Sequence, residues 1–505
     1  MSSNNQQQVD LGVDLSSDST EPLDMIEVDV LEVRLPCRGF RISYKVAETA
    51  EFSLTTEFLL RLSRLADGLT EDAVGEFFGF NPDETRFVVD YVESLGYVQR
   101  KDGRVYLTDS GHGLFAGTDE PALFEVHAKE ERFDFDLIAF APADPWKNLT
   151  QFEYELPELA LGSEDPGQAS KRVFKSFSRF FQEFRFKKGG SRLEKQSLYT
   201  VDDVQAGQRY GSILPVTLAV RRDDPGFPET SLLQWRTGPE LDDRAAILQS
   251  CVNFAKGIRC RLDQVSPKAK DWLVACAPET LSRFSRNQVF DADAFFRATV
   301  RQAGELRIDR QTVRVIGHLW TDANRTRFAS AMKYAAANSS RDPVMQIWLR
   351  PGVPYWGMTT RLPDILGAVS RKFGQQEQDV RAVRAIMIGG ESASPGFKNV
   401  FNAVVEVADQ DLPNGLEIFL VPGHVAYVAL NTPIGHDEGY PIPVGIMSFD
   451  QTVVAAVQER VLELLTTSYC MPALCDWRSG DLVAEIEAAL MKPNPESTQP
   501  LVPTE

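Results

Sequence analysis

A multi-domain α/β protein is predicted by this chain of 505 residues, on three observations. Apolar residues recur at helical spacing between residues 55 and 95, then give way to two short β runs around an Asp-Gly pair. From residue 313 onward, strand-like apolar runs alternate with helical segments, the pattern of a sheet covered by helices. The length divides into two to four domains at roughly 100–200 residues each.

Composition bounds the function classes. The hydrophobic fraction of 43% builds ordinary cores, and the net charge of −19 makes the surface as a whole repel nucleic acid and anionic membrane. A local basic patch is still compatible with that balance. The stretch Met1 to Asp24 is polar and acidic and lacks the basic and apolar regions of a signal peptide. Apolar runs such as Val421 to Leu430 stop well short of the roughly 18 residues a spanning helix needs. A soluble, cytoplasmic protein with no membrane association is the expectation. The six cysteines (Cys37, Cys251, Cys260, Cys276, Cys470, Cys475) have no zinc-like spacing and are expected as free thiols, mostly buried.

Taken in order, Met25 to Lys45 has β character and leads into helices. A first helix is predicted from about Thr55 to Ala66, burying Phe58, Leu59, Leu62, Leu65 and Ala66. Thr70 caps a short second helix that buries Ala73, Val74, Phe77 and Phe78. Asn81-Pro82-Asp83-Glu84 starts a third, with Asn as N-cap, Pro at the first position and Glu at the third. Phe87, Val88, Tyr91, Val92 and Leu95 form its expected buried side, and it stops at Gly96. Tyr97 to Thr108 reads as a hairpin turning at Asp102-Gly103.

Three helices and a hairpin in this order resemble a winged helix-turn-helix, and GYVQRKDGRVYLTDSG resembles the wing of MarR-type regulators. The resemblance covers about 65 of the 505 residues and speaks for fold, since winged helices serve protein docking as well as DNA reading. The third helix exposes Asp83, Glu84, Arg86, Asp90 and Glu93, which disfavours sequence readout in a major groove. The wing, with Arg100, Lys101 and Arg104, is better suited to phosphate contact.

The middle of the chain mixes strands (137–140, 214–220, 231–235) with a helix over 242–256. Its strongest feature lies between Lys171 and Lys195, with nine cations and two carboxylates. Phe174, Phe177, Phe181 and Phe184 fall on one helical face and are expected to dock into the core. Arg185, Lys187, Lys188 and Arg192, the last three around a Gly-Gly loop, are the expected phosphate-backbone contacts.

The C-terminal region is predicted as strands over 313–320, 344–349, 382–388, 416–421 and 424–430, with helices over 324–337, 363–373 and 452–465. Leu416 to Leu465 resembles the last part of a phospholipase D-like domain, whose active members carry His-x-Lys-x4-Asp. In them the histidine attacks phosphorus and the lysine holds phosphate oxygens. Here the matching positions are His424, Ala426 and Asn431, so the resemblance implies a catalytically degenerate copy. His127, Lys129 and Asp134 match the pattern literally, but in a charged context directly after the wing. His318, in a strand, reads as a satisfied core residue rather than a ligand. No metal or cofactor site is predicted.

The expected organisation is a disordered segment 1–24, a winged helix-turn-helix over 25–118, a mixed α/β module over 119–280, a phospholipase D-like α/β sandwich over 281–490 and a disordered tail over 491–505. The expected function is a non-enzymatic nucleic-acid-binding or adaptor protein that docks a partner such as a helicase or nuclease. A homodimer is open. Proteins joining such domains resemble components of bacterial antiviral defence or DNA-processing operons. The alternatives are a phosphodiesterase or nuclease using His127 or His424, and a transcriptional regulator with a ligand-sensing domain.

Overall fold

The structure is a computed structural model that describes residues 24–50, 52–115, 121, 123–161, 168–187, 196–286, 289–302, 304–338, 345–373, 383–390, 397, 399–475 and 481–491. The chain divides into two compact units. The first comprises Cys37–Trp146 and Gly162–Tyr210; the second comprises Met1–Pro36, Lys147–Leu161 and Gly211–Glu505. The expected module over 119–280 is therefore shared between them. The chain changes unit at four points, two of which fall within long strands, β1 (Met25–Ala50) and β6 (Gln196–Arg221).

In the first unit, α1 (Leu54–Leu65), β2 (Leu69–Thr70), α2 (Glu71–Phe78), α3 (Pro82–Ser94), β3 (Val98–Lys101) and β4 (Arg104–Leu107) form three helices and a small sheet. Local chemistry sets every boundary. Ser53, Thr70 and Asn81 accept backbone N–H groups at the three helix starts, and Glu84 returns to the Asn81 N–H to complete a capping box. Each such cap contributes about 1 kcal/mol. At the hairpin tip, Asp102 (φ 54°) and Gly103 (φ 70°) both take the left-handed conformation that a two-residue turn requires.

Burial in these helices differs from the expectation. α1 buries Thr56, Leu59, Leu60 and Ser63 and leaves Phe58 and Leu65 exposed; α3 buries Thr85, Val89 and Val92 and leaves Phe87, Tyr91 and Leu95 exposed. On α2, Val74 and Gly75 are inside and Phe77 is outside. The reason lies at the α2–α3 crossing, where a Cβ on Gly75 would stand 2.7 Å from Thr85 Oγ1. Helices this close accept only small and β-branched residues between them, so the bulky aromatic row turns outward.

The rest of this unit is a helix on a sheet. β1 from Cys37 to Ala50 pairs antiparallel with β5 (Leu123–Asp136), Cys37 opposite Asp136. Period-2 alternation buries Phe40, Ile42, Tyr44 and Val46 of β1 with Phe133 and Phe135 of β5. Onto them lies α4 (Ala169–Lys187), burying Val173, Phe177, Phe180, Phe181 and Phe184. Ring centroids of Phe133 and Phe177 are 4.8 Å apart, and those of Phe135 and Phe184 5.0 Å. Phe174, expected inside, is instead 45% exposed, although Phe181, two turns on along the same side of the helix, is buried. The strand expected over 137–140 is a bend. The Asp136 carboxylate accepts the N–H groups of Ile138, Ala139 and Ala141, and that local competition ends β5.

The second unit is built on eight strands: β7 (Thr312–Ile316), β8 (Met345–Leu349), β9 (Arg384–Gly389), β10 (Ala403–Val407), β11 (Leu416–Val421), β12 (Val425–Thr432), β13 (Ile442–Ser448) and β14 (Cys470–Cys475). Their order in the sheet is β7-β13-β12-β11-β8-β9-β10-β14. Only β8–β9 and β9–β10 are parallel. Helices α5 (Pro267–Cys276) and α8 (Gln451–Thr467) lie against β11 and β12, with α9 (Leu482–Leu490) against α8. α6 (Asp322–Asn338) and α7 (Arg361–Phe373) share a core with the alternate residues Phe419, Val421, Tyr427, Ala429 and Met447, and so cover the opposite face. The central strands are buried end to end, which explains their near-continuous apolar sequences.

The strand expected over 313–320 ends at Ile316, because Gly317 turns at φ +87° beneath the backbone of Glu27 and Val28. The one expected over 231–235 is confined to Glu229–Ser231, and the helix expected over 242–256 begins at Ala245. Among the described residues, no helix is long and apolar enough to cross a membrane.

Cys37, Cys251, Cys260 and Cys276 are buried free thiols, and Cys470 is half-buried. Burial pushes the Cys251 and Cys276 thiols up to about 12 and Cys260 to about 11. Iodoacetamide at about pH 8 should therefore leave these three unlabelled in the native protein and label them in denaturant, as read by peptide mass mapping.

Candidate functional site

Three surfaces and one interior cluster carry the side chains with chemical potential. The hairpin is the first surface. Arg100, expected to meet phosphate, is turned back onto the helices: its guanidinium binds Glu71 at 2.5 Å, Asp90 at 2.6 Å and Glu93 at 2.5 Å. Arg104 donates to the Gly68 carbonyl at 2.8 Å, and Lys101 is exposed. The hairpin thus offers far less cationic reach than its sequence suggests. Arg100→Ala should lower the stability of the three-helix part by about 1 kcal/mol, since three carboxylates lose their common cation. It should leave nucleic-acid affinity within about twofold, read by thermal melting and fluorescence polarisation side by side.

α4 is the second surface. Its phenylalanine row is consumed in the core, and Lys171, Arg172, Lys175 and Arg179 are all exposed on the opposite side. At about 100° per residue these four fall within one arc of about 100°, spread over about 12 Å of helix. A duplex strand presents a phosphate every ~3.4 Å of axis, so the row matches three or four phosphates. The Arg172 guanidinium stands 4.8 Å over Phe140 and that of Arg179 5.0 Å over Phe180, which orients both. Phe174 is exposed beside the row. Arg185, expected among the contacts, is buried: it donates to Gln196 Oε1, which also accepts from Lys129 Nζ at 3.2 Å. It belongs to the Phe-bearing side of the helix and cannot reach an external phosphate. Lys188 and Arg192 lie outside the described residues, as does the side chain of Lys187.

The literal His-x-Lys-x4-Asp match lies on β5, and its members do not converge. His127 and Lys129 share one face, and Asp134 points to the other, where it pairs with Arg132 at 3.0 Å. Seven residues of strand separate His127 from Asp134, about 23 Å. At the third surface, the turn before β12, His424 is 4% exposed, with Nδ1 2.8 Å from the Pro422 carbonyl and its ring edge-on to Phe373. Ala426 is buried, and Asn431 donates to Glu417 at 3.4 Å. Both side chains serve the interior, one as a methyl group and one as an amide.

That interior holds a buried polar cluster. His318 Nδ1 is 3.0 Å from Glu417 Oε2, and Nε2 is 3.7 Å from Asp29 Oδ2. Trp348 donates to Glu417 at 3.0 Å, Trp320 to Asp29 at 2.6 Å and Tyr440 to Asp29 at 2.5 Å. The His318 ring stacks on Trp320 at 4.3 Å. Burial alone would lower the His318 pKa, but Asp29 and Glu417 outweigh it and raise it. All three are at most 2% exposed, so this is a closed ion triad and not a site open to substrate. Among the described residues, no group of three or more His, Cys, Asp or Glu side chains is placed to hold a metal ion.

Sequence reasoning placed weight on the Lys187–Arg192 loop and the hairpin, and gave less to the α4 row. A helical projection of residues 169–187 separates Lys171, Arg172, Lys175 and Arg179 from the phenylalanines and would have found it. No protein-family model matches this chain, and no curated protein is significantly similar to it in sequence.

Proposed function

We propose that the protein is a non-enzymatic nucleic-acid-binding adaptor that holds the phosphate backbone along α4 without reading sequence. The observation that carries this reading is the basic arc of Lys171, Arg172, Lys175 and Arg179, set opposite a fully used hydrophobic row in a chain of net charge −19. Four cations within one arc, against the single carboxylate of Glu183 at its edge, fit a polyanion.

The order of three capped helices and a tight hairpin supports reading residues 52–115 as a winged helix-turn-helix used for docking. The acidic and apolar exposed side of α3 argues against major-groove readout. The sequence of β11, His424, β12, β13 and α8 supports a degenerate phospholipase D-like domain, with Ala426 and Asn431 in place of its lysine and aspartate. Together these support a supporting component of a bacterial defence or DNA-processing assembly, working with a helicase or nuclease.

The test is fluorescence-polarisation binding to random-sequence DNA and RNA across a salt series, with each sample run on a gel for strand cleavage. Expected is sequence-independent binding that weakens with salt at a log–log slope of about −3 to −4, and no cleavage. Absence of binding at low salt overturns the nucleic-acid role. Cleavage abolished by His424→Ala would establish a phosphodiesterase instead.

A further inference from the structure

The three-helix part of the first unit leaves a run of aromatic side chains uncovered. Phe77 is 61% exposed, Phe87 73% and Tyr91 51%. They are not scattered. Phe77 meets Phe78 edge-on at 5.1 Å, and Phe78 stacks on Phe80 at 5.3 Å. Phe80 then lines an open groove of about 470 Å³ with Thr55 of α1 and Asp83, Glu84, Phe87 and Val88 of α3. Tyr91 continues the α3 row one turn beyond Phe87. Contiguous exposed apolar surface of this kind, rimmed by polar groups, marks an interaction site.

The rim selects the occupant. The carboxylates at the groove are Asp83 and Glu84, with Arg86 3.7 Å from Asp83; Asp90, further along α3, is already paired with Arg100 at 2.6 Å. A two-fold contact with a second copy would lay the same acidic rim on itself, which like charges oppose. A segment that is apolar in the middle and cationic at its flanks meets both demands.

We propose that this aromatic groove, between the start of α1 and the exposed side of α3, docks an amphipathic helix flanked by lysine or arginine from a partner protein. Two apolar side chains one turn apart would enter beside Phe80 and Phe87, and the flanking cations would meet Asp83 and Glu84. The proposal deepens the adaptor reading by naming the surface and chemistry of docking, and rests on it for the existence of a partner.

The probe is a fluorescein-labelled synthetic amphipathic helix of leucine and lysine, titrated with the full chain, beside a leucine–glutamate helix of the same pattern. Expected is micromolar binding of the leucine–lysine helix and binding of the glutamate version weaker by about tenfold or more. Phe87→Asp decides the cause. Mere attraction of a cationic peptide to an acidic protein predicts tighter binding, whereas docking in the groove predicts a loss of about tenfold or more. Phe87 is exposed, so the variant keeps its fold, which a thermal melt verifies. No binding at about 100 μM, equal binding of both helices, or undiminished binding by Phe87→Asp overturns the proposal. The same preparations titrated with DNA keep the two readings apart: DNA affinity should be unchanged by Phe87→Asp, and its absence would sink the nucleic-acid role while leaving the groove standing.

Discussion

His318→Gln is expected to destabilise the second unit by about 3–5 kcal/mol, the cost of leaving buried charges without their counter-ion. The imidazole sits between Asp29 and Glu417, each at most 2% exposed, so neither carboxylate is hydrated at the surface. Hydrogen bonds from Trp320, Tyr440 and Trp348 remain, but they carry no charge. The double variant His318→Gln/Glu417→Gln should recover part of the loss, because it removes one orphaned charge. Chemical denaturation monitored by tryptophan fluorescence reads this directly, since Trp320 and Trp348 line the triad. A loss under about 1 kcal/mol would show that the imidazole is neutral and merely hydrogen-bonded.

The same triad fixes a pH dependence and its sign. His318 has its folded pKa raised by Asp29 and Glu417 above its unfolded value of about 6.5. Its contribution is therefore full below about pH 6.5 and is lost as pH rises from there through the folded value. Melting temperature should decline over that upward window in the native chain, and His318→Gln should flatten the decline.

The second large effect concerns α4. Lys171→Gln, Arg172→Gln, Lys175→Gln and Arg179→Gln together should reduce nucleic-acid affinity at low salt on the order of 10²-fold and bring the salt slope near zero. Glutamine keeps the side-chain stem and a good helix propensity, so the thermal melt should hardly move. Unchanged affinity would place binding on another surface and overturn the α4 reading. A fall in affinity with an unchanged slope would mean that the substitutions disturbed the fold rather than phosphate contacts.

Much of the fold was legible because its signals act over a few residues. Asn81, Pro82 and Glu84 start α3 through bonds within one turn, and Asp102-Gly103 sets the hairpin through backbone conformations that few residue types accept. The strands over 416–421 and 425–432 announced themselves as continuous apolar runs because both faces are covered. The misread strand over 137–140 failed on equally local grounds: the Asp136 carboxylate took the N–H groups that a ladder would have used. The candidate site was less legible. α4 announced both its charge and its aromatics, but not that Arg185 would be buried and Phe174 exposed, which the packing of the helix on the sheet decides.

By itself, then, the sequence determined the α/β class, the capped helices, the hairpin and the basic aromatic helix. Only the tertiary structure decided which apolar side of α1 and α3 went inside, that Arg100 spends its charge on Glu71, Asp90 and Glu93, and that Asp29, His318 and Glu417 meet. The physical reason is the range of the forces involved. Caps, turns and periodicity are settled between neighbours along the chain, whereas burial and ion pairing depend on which distant surface arrives. At α2 and α3, the close approach of Gly75 and Thr85 made that choice and left Phe87 and Tyr91 facing outward.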